Sequence, residues 1–457
     1  VLRSRAVLAA AVAIVTFFLT AHALFELPSL PDTDSYYHLA VARLYAQDGL
    51  VQRLPWARFS AMHDGFGDKE LLFHLLLVPF TDGRLAIAFW NALVAGAITW
   101  LAVDAIGPWG VAVAPLLILA APYFWIRTIR LRPEMLSLLL YLLIAAATAR
   151  RRVWTVLLLS IALTLGHTAF HVLAFMAVLW FFVTREWKPA AATLAGVAIG
   201  VLVHPHFPDN LHIWFLQNVR LLQLKSVLDV GAEIGPPRIA DLLLHNAGWW
   251  LAVAIALVLL RPWRRKPSRE TVIFTTLAAV FFVLQLMMER MSTYFFPFAT
   301  LALVFACAGL PRQRVFAIAV IASLPFAIGA ARSLHTRMPS DVERDYAAFG
   351  ASIPPGARVA ARWGATDAYV FFAPQGRYLN VLDPVFMAVP HPREYEAQRR
   401  LFDGREPDLA HVAKHLLDSD YIAFAKWEAS PEFLARVNDD PRLERVYDGY
   451  NVLLRVK

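Results

Sequence analysis

Directly after a first apolar run of membrane-spanning length the chain reads Asp32-Thr33-Asp34-Ser35-Tyr36-Tyr37-His38. A carboxylate fixed at a membrane boundary does one of two kinds of chemistry. It ligates a hard divalent cation such as Mg²⁺ or Mn²⁺, or it takes a proton as a general base. Asp34 is the candidate, because Ser35 to Ala42 continue it with helical periodicity and form a helix expected to lie along the membrane surface. Asp32 has the place of that helix's cap. Farther along the same loop, Asp64 and Asp68 in His63-Asp64-Gly65-Phe66-Gly67-Asp68-Lys69-Glu70 read as turn residues.

A second group is cationic. Arg127, Arg130 and Arg132 precede Pro133-Glu134 between two apolar runs, and Arg290 stands in the short turn Met288-Glu289-Arg290-Met291. A guanidinium is a planar fork of donors suited to phosphate, and a lipid phosphate or pyrophosphate is the anion expected beside a bilayer. A charge so close to hydrocarbon is functional by default. Glu134 opens the next helix, where it either meets the helix dipole or joins Asp34 as a metal ligand. Glu233, in Val230-Gly231-Ala232-Glu233-Ile234-Gly235, is the acid of a later polar loop. His204, His206 and His167 are secondary candidates; His167 and His171 share one helix face only if their helix is continuous.

These side chains need elements to hold them, and composition says which. Of 457 residues 58% are hydrophobic and only 17% charged, the signature of a polytopic membrane protein. The net charge of +8 does not point to nucleic acid, because Arg and Lys gather in short clusters between apolar runs, as topology determinants do. The single cysteine, Cys307, excludes a disulfide framework, and no Gly-rich phosphate loop is present for a nucleoside triphosphate.

About eleven apolar runs are candidate spans, near residues 6–24, 84–103, 109–125, 134–149, 153–166, 168–184, 189–204, 247–260, 271–288, 293–309 and 313–331. The first ends in Ala21-His22-Ala23, a signal-peptidase-like sequence, but we read it as an uncleaved first helix. With Arg3 and Arg5 on the cytoplasmic side, the basic stretches Arg150–Arg152, Arg185–Lys188, Arg261–Arg269 and Arg312 with Arg314 fall on that side too. The loops 25–83 and 205–246 and the C-terminal tail then lie outside, as do Arg127, Arg130 and Arg132, against the charge rule. From residue 333 the pattern changes. Alternation at Arg358–Trp363 and Tyr421–Phe424 predicts strands and helices are expected near 392–402 and 408–417, together a small extracytoplasmic α/β domain over 333–457 behind a transmembrane domain over 1–332.

The order of these features resembles the catalytic subunits of oligosaccharyltransferases, members of the GT-C class of membrane glycosyltransferases. The acidic motif after the first helix, Glu134 opening a later one, Glu233 in a long outer loop, the Arg290 turn (MERMSTYFFPF) and a C-terminal outer domain carry the likeness over nearly the whole chain. By that resemblance Asp34 is the catalytic acceptor-activating Asp and metal ligand, with Glu134 at the second acidic motif. Arg290, with Arg130 and Arg132, contacts the donor phosphate, and Glu233 and Trp363 lie on the acceptor side. Trp363 stands in Arg362-Trp363-Gly364-Ala365-Thr366-Asp367-Ala368-Tyr369, which resembles the family's Trp-Trp-Asp-Tyr-Gly element without its second Trp. The second acidic motif is also one acid short, so the reaction is expected with Mg²⁺ or Mn²⁺ or without a metal.

The implied function is transfer of a sugar or oligosaccharide from a polyprenyl phosphate or pyrophosphate to a protein, lipid or glycan acceptor at the outer face. The implied place is the plasma membrane of a bacterium or archaeon. Two other readings stay open: a flippase or transporter of lipid-linked saccharides, and a catalytically silent binding subunit of the same fold.

Overall fold

The computed structural model describes residues 2–261, 266–309 and 341–457. The last expected span, Arg312, Arg314, the middle of the Arg261–Arg269 stretch and the first residues of the expected tail domain lie outside them. The described residues form two compact units that interleave along the chain. One comprises residues 2–26, Arg84–Val203 and residues 231–309, and the other Leu27–Gly83, His204–Val230 and residues 341–457. The expected division at residue 332 follows chain order, whereas the structure groups residues 27–83 and 204–230, the first long loop and the first part of the second, with the C-terminal α/β residues.

The first unit is helical. Three described helices are long and apolar enough to cross a membrane: Ser4–Phe25, Gly83–Ala120 and Arg269–Met287. The helices Ile239–His245 and Ala247–Leu260, bent by 71° at their junction, make a fourth if they are one broken span. The expected spans at 134–149, 153–166, 168–184 and 189–204 are the apolar helices Glu134–Ala149, Val153–Gly166, Phe170–Thr184 and Trp187–Leu202. At 1.5 Å per residue, helices of 14 to 16 residues reach about 21–24 Å, short of a hydrocarbon core of about 30 Å. The count of eleven full spans is therefore not reproduced. The apolar run at 109–125 is broken too: the helical stretch that ends with Val113–Ala120 parts at Ala121 from the helix Pro122–Thr128, which a proline begins.

Helices of this unit approach closely where side chains are small. A Cβ on Gly196 would lie 2.6 Å from the Ser160 Cβ and one on Gly200 2.7 Å from the Thr164 Cβ, so glycine on one helix and small hydroxyl residues on the other let Val153–Gly166 and Trp187–Leu202 pack backbone to backbone. Ser160 and Thr164 donate their hydroxyls to carbonyls one turn back, which keeps those polar groups satisfied inside the bundle.

The second unit is built on a mixed five-stranded sheet of order β2-β1-β3-β5-β4, with β1 Arg358–Ala360, β2 Arg377–Tyr378, β3 Tyr421–Ala425, β4 Leu443–Asp448 and β5 Asn451–Val456. β1 runs parallel to β2 and β3, and β5 runs antiparallel to β3 and β4. The two strands expected from alternation are present as β1 and β3. The helix Pro392–Phe402 also stands where it was expected, and Tyr395, Leu401 and Phe402 join Ile422, Phe424, Leu454 and Phe433 in the core.

Residues 27–83 are part of this unit. Among them Ala57 bridges Tyr378 of β2, and the amides of Arg58 and Phe59 donate to the carbonyls of Tyr378 and Leu379 at 2.9 Å each, so this stretch covers an edge that would otherwise be open. The helix Asp34–Asp48, expected on the membrane surface, is instead buried from Ser35 to Ala42. Tyr36 packs among Phe371, Phe372 and Tyr346 and donates its hydroxyl to Glu343 at 2.8 Å, and the Arg43 guanidinium lies 3.7 Å from the Phe371 ring centre.

Loop closure in this unit depends on one residue without a side chain. A Cβ on Gly67 would sit 2.3 Å from the Asp209 carbonyl oxygen, a backbone atom that cannot swing aside. Gly67→Ala should lower the stability of the protein by about 1–3 kcal/mol, the usual cost of forced overpacking. Thermal unfolding in detergent checks this, and an unchanged midpoint would contradict the contact.

Candidate functional site

In the first unit the arginines gather around one carboxylate. Arg130 and Arg132 lie in the segment between the Pro122–Thr128 and Glu134–Ala149 helices, and Arg127 lies in the last turn of the first of these. All three reach Glu233: Arg132 Nη1 donates to Oε1 at 2.6 Å, Arg130 Nη1 to Oε2 at 3.0 Å, and Arg127 Nη1 also to Oε2. Arg127 Nη2 donates to Glu134 Oε1 at 3.2 Å, so this one guanidinium joins both acids. It is almost wholly buried, with a side-chain exposure of 7%.

The Arg290 turn belongs to the same region. Its neighbour Glu289 donates its amide to the Gly235 carbonyl at 2.9 Å, tying the turn to the segment that carries Glu233. Burial disfavours the Glu233 charge, yet Arg132, Arg127, Arg130 and Arg290 together hold its carboxyl well below the usual range. The Nε of Arg290 is buried and makes no hydrogen bond among the described residues. Arg290, Arg130, Arg132, Glu134 and Glu233 are thus brought together, and Arg127, which was one of three arginines in the sequence pattern, is their centre. Glu233, expected on the acceptor side, accepts from the arginines expected to hold phosphate.

A divalent cation does not suit Glu134 as it stands here. Its carboxylate already accepts from Arg127, and the surrounding groups are cationic. Arginines crowded around carboxylates make a receptor for anions rather than for Mg²⁺ or Mn²⁺.

His167 is buried at the break between the Val153–Gly166 and Phe170–Thr184 helices, where it accepts the Ala169 amide at 3.1 Å. The helix does not continue through Gly166-His167-Thr168, so His167 and His171 do not share a face.

The other sequence candidates lie in the second unit. Asp34 is the first residue of the Asp34–Asp48 helix, where the helix dipole favours a carboxylate. The cap position is taken by Thr33 rather than by Asp32, which accepts the Ser35 hydroxyl instead. Trp363 opens the Trp363–Phe372 helix, half-buried, directly after β1 and the two residues that follow it.

Asp68 corrects the expectation of a turn residue. It is 2% exposed and accepts from Tyr45 Oη at 2.6 Å, from His74 Nδ1 at 2.8 Å and from the Glu70 amide at 3.1 Å. Burial opposes its charge, but His74, Tyr45 and the Glu70 amide hold its carboxyl well below the usual range. The buried His206 accepts the Asp68 amide at 3.2 Å and donates its own amide to His204 Nδ1 at 3.2 Å. Burial lowers the basicity of both histidines. One sign of this cluster was in the sequence: the charged triplet Asp68-Lys69-Glu70 runs straight into the apolar Leu71-Leu72-Phe73.

No model of a known protein family and no curated protein matches the chain. Solved structures do. The Archaeoglobus fulgidus oligosaccharyltransferase AglB, in complex with an inhibitory peptide and a dolichol-phosphate, aligns over 95% of this chain and 70% of its own, with a TM-score of 0.64 and 12% identity. ArnT from Cupriavidus metallidurans bound to undecaprenyl phosphate aligns over 98% of this chain and 97% of its own, with a TM-score of 0.59 and 14% identity. The mycobacterial arabinofuranosyltransferase AftD aligns over 98% of this chain but only 39% of its own, with a TM-score of 0.57 and 17% identity. At such identities the likeness concerns the fold. This chain has the GT-C fold of those membrane proteins.

Proposed function

We propose that the chain is a membrane glycosyltransferase that transfers a sugar or oligosaccharide from a polyprenyl phosphate or pyrophosphate to an acceptor at the extracytoplasmic face. The observation that carries this reading is the arginine cluster: Arg127, Arg130 and Arg132 converge on one carboxylate, with Arg290 close enough to help hold its charge. Three guanidinium groups that grip a carboxylate offer the same forks to a phosphate. That two structures of the same fold were solved with a polyprenyl phosphate supports a lipid-borne phosphate as the anion.

In the proposed reaction an acceptor hydroxyl or amide attacks the anomeric carbon. The carbon–oxygen bond to phosphate breaks and its electron pair stays on the phosphate. The arginines meet the charge that develops there, which is where preorganised donors do most for the rate. Asp34 takes the acceptor's proton as general base. Trp363 is assigned to recognition of the acceptor, a protein, lipid or glycan. With Glu134 engaged by Arg127, we assign the leaving-group charge to arginine rather than to a cation at Glu134.

Glu233 occupies the donors that the phosphate needs. Glu233→Gln removes that competing charge and should tighten binding of undecaprenyl phosphate severalfold, read by native mass spectrometry of the detergent-solubilised protein. Weaker binding would mean that Glu233 supports the phosphate site rather than competes for it.

The reading as a whole is tested by turnover. Vesicles containing the protein are given a radiolabelled polyprenyl-phospho-sugar, and label should leave the lipid for an acceptor. Label that crosses the bilayer still on its lipid identifies a flippase instead, and label that neither transfers nor moves identifies a binding subunit.

A further inference from the structure

The second unit holds a group of side chains that the proposed reaction does not use. His38 projects from the Asp34–Asp48 helix, and Glu70 and His74, four residues apart, share one face at the start of the Leu71–Leu77 helix. All three are buried, at 3%, 5% and 0% exposure. His38 Nδ1 lies 2.9 Å from His74 Nε2 and 3.9 Å from Glu70 Oε2, and one ligand atom from each residue falls within 4.8 Å of the other two.

The surroundings define which atoms carry lone pairs. His74 Nδ1 is 3.0 and 2.8 Å from the two oxygens of Asp68, and an ionised carboxylate only accepts. The proton therefore sits on Nδ1, and Nε2 turns its lone pair toward His38. A carboxylate behind a histidine, fixing its tautomer, is one of the outer partners, with backbone carbonyls and water, that metal-ligating histidines almost always have. Asp68 is itself fixed by Tyr45 and by the Glu70 amide, at 2.6 and 3.1 Å. Lys69 Nζ holds Glu70 Oε1 at 2.8 Å, which leaves Oε2 as the oxygen nearest His38.

The distances decide what fits. Nitrogen ligands of tetrahedral zinc stand about 2.0–2.1 Å from the metal and hence about 3.3 Å apart. The observed 2.9 Å between the two histidine nitrogens is within a few tenths of an ångström of that spacing. With neutral histidines, Asp68, Glu70 and Lys69 leave one net negative charge in a buried place, which favours a cation. Two imidazoles and a carboxylate select a borderline metal such as Zn²⁺ over Mg²⁺ or Ca²⁺, which prefer all-oxygen sites.

We infer that His38, Glu70 and His74 form a three-ligand zinc-class site, with Asp68 as the outer partner of His74. None of the ligands is Asp34. Asp34 stands one turn before His38 on the same helix, so an ion here fixes the turn that presents it.

The test uses the full chain purified in detergent, incubated with Zn²⁺ alone, freed of unbound metal and analysed by inductively coupled plasma mass spectrometry. The expected result is one zinc per chain, lost in His38→Ala and His74→Ala. Asp68→Asn keeps all three ligands and should weaken zinc affinity by about 10–100-fold in a chelator competition. Because the alanine variants could misfold, Co²⁺ is also loaded into the wild type, where histidine ligation gives visible d–d absorption that zinc displaces. The inference is overturned if the wild type retains no stoichiometric zinc, if retained zinc survives both alanine variants, or if bound Co²⁺ shows no such absorption.

Discussion

Asp34→Asn should lower transfer from a lipid-linked sugar by about 10²–10⁴-fold, the range a positioned general base contributes. The substitution keeps the size of the side chain and removes only its charge and basicity. Asparagine is also well tolerated at a helix start, so the Asp34–Asp48 helix and the core contacts of Tyr36 should persist. Binding of undecaprenyl phosphate should be unchanged, because the proposed reaction gives the phosphate to the arginines and only the acceptor's proton to Asp34. The pairing of the two outcomes separates a chemical role from a structural one. Transfer within a few fold of wild type would remove Asp34 from the reaction, and a joint loss of binding and transfer would make its role structural.

The second large effect concerns stability. Arg127→Met leaves Glu134 without the one hydrogen-bonding guanidinium that Arg127 gives it, and removes one of three guanidinium donors from Glu233. Breaking a buried pair from one side typically costs about 3–5 kcal/mol, since the remaining charge is neither solvated nor paired. Glu233 is the smaller part of that loss, being partly exposed and still held by Arg130 and Arg132. Arg127→Lys should not restore the protein, because an ammonium is a point charge and cannot span two carboxylates with separate nitrogens as Nη1 and Nη2 do. Arg127→Met with Glu134→Leu should recover much of the midpoint, because it removes both buried charges together. Unfolding of the three variants in detergent checks the sequence of losses. A single variant as stable as wild type would show that the pair does not hold this region.

The arginines were legible as a group because they violated a rule. Arg127, Arg130 and Arg132 stood against the charge bias of the topology expected from the sequence, and Arg290 stood in a turn too short for an idle charge. Their convergence on Glu233 was not legible, because it joins residues about a hundred positions apart through side chains that leave no local pattern. The strands β1 and β3 were visible by alternation and the helix Pro392–Phe402 by its amphipathic face.

The span count was not legible, since hydropathy marks apolar helices but not whether 14 to 16 residues reach across a bilayer or pack against neighbours. The interleaving of the units was hidden for a related reason. Backbone pairing such as Arg58 to Tyr378 is decided by a sheet edge that forms far away in sequence. Asp68 was misread because Gly65 and Gly67 beside it are turn signals. There Gly67 serves a different need, the close approach of the Asp209 backbone, while Gly65 faces the Asp209 side chain.

The central claim is that the arginine cluster holds the phosphate of a lipid-borne donor. Its most direct test is the affinity of undecaprenyl phosphate for the purified protein and for Arg132→Gln with Arg290→Gln. Each charge-assisted bond to a charged group is worth about 1.5–3 kcal/mol, so the double variant should bind at least about a hundredfold more weakly while unfolding near the wild-type temperature. Equal affinity in a folded double variant would contradict the account.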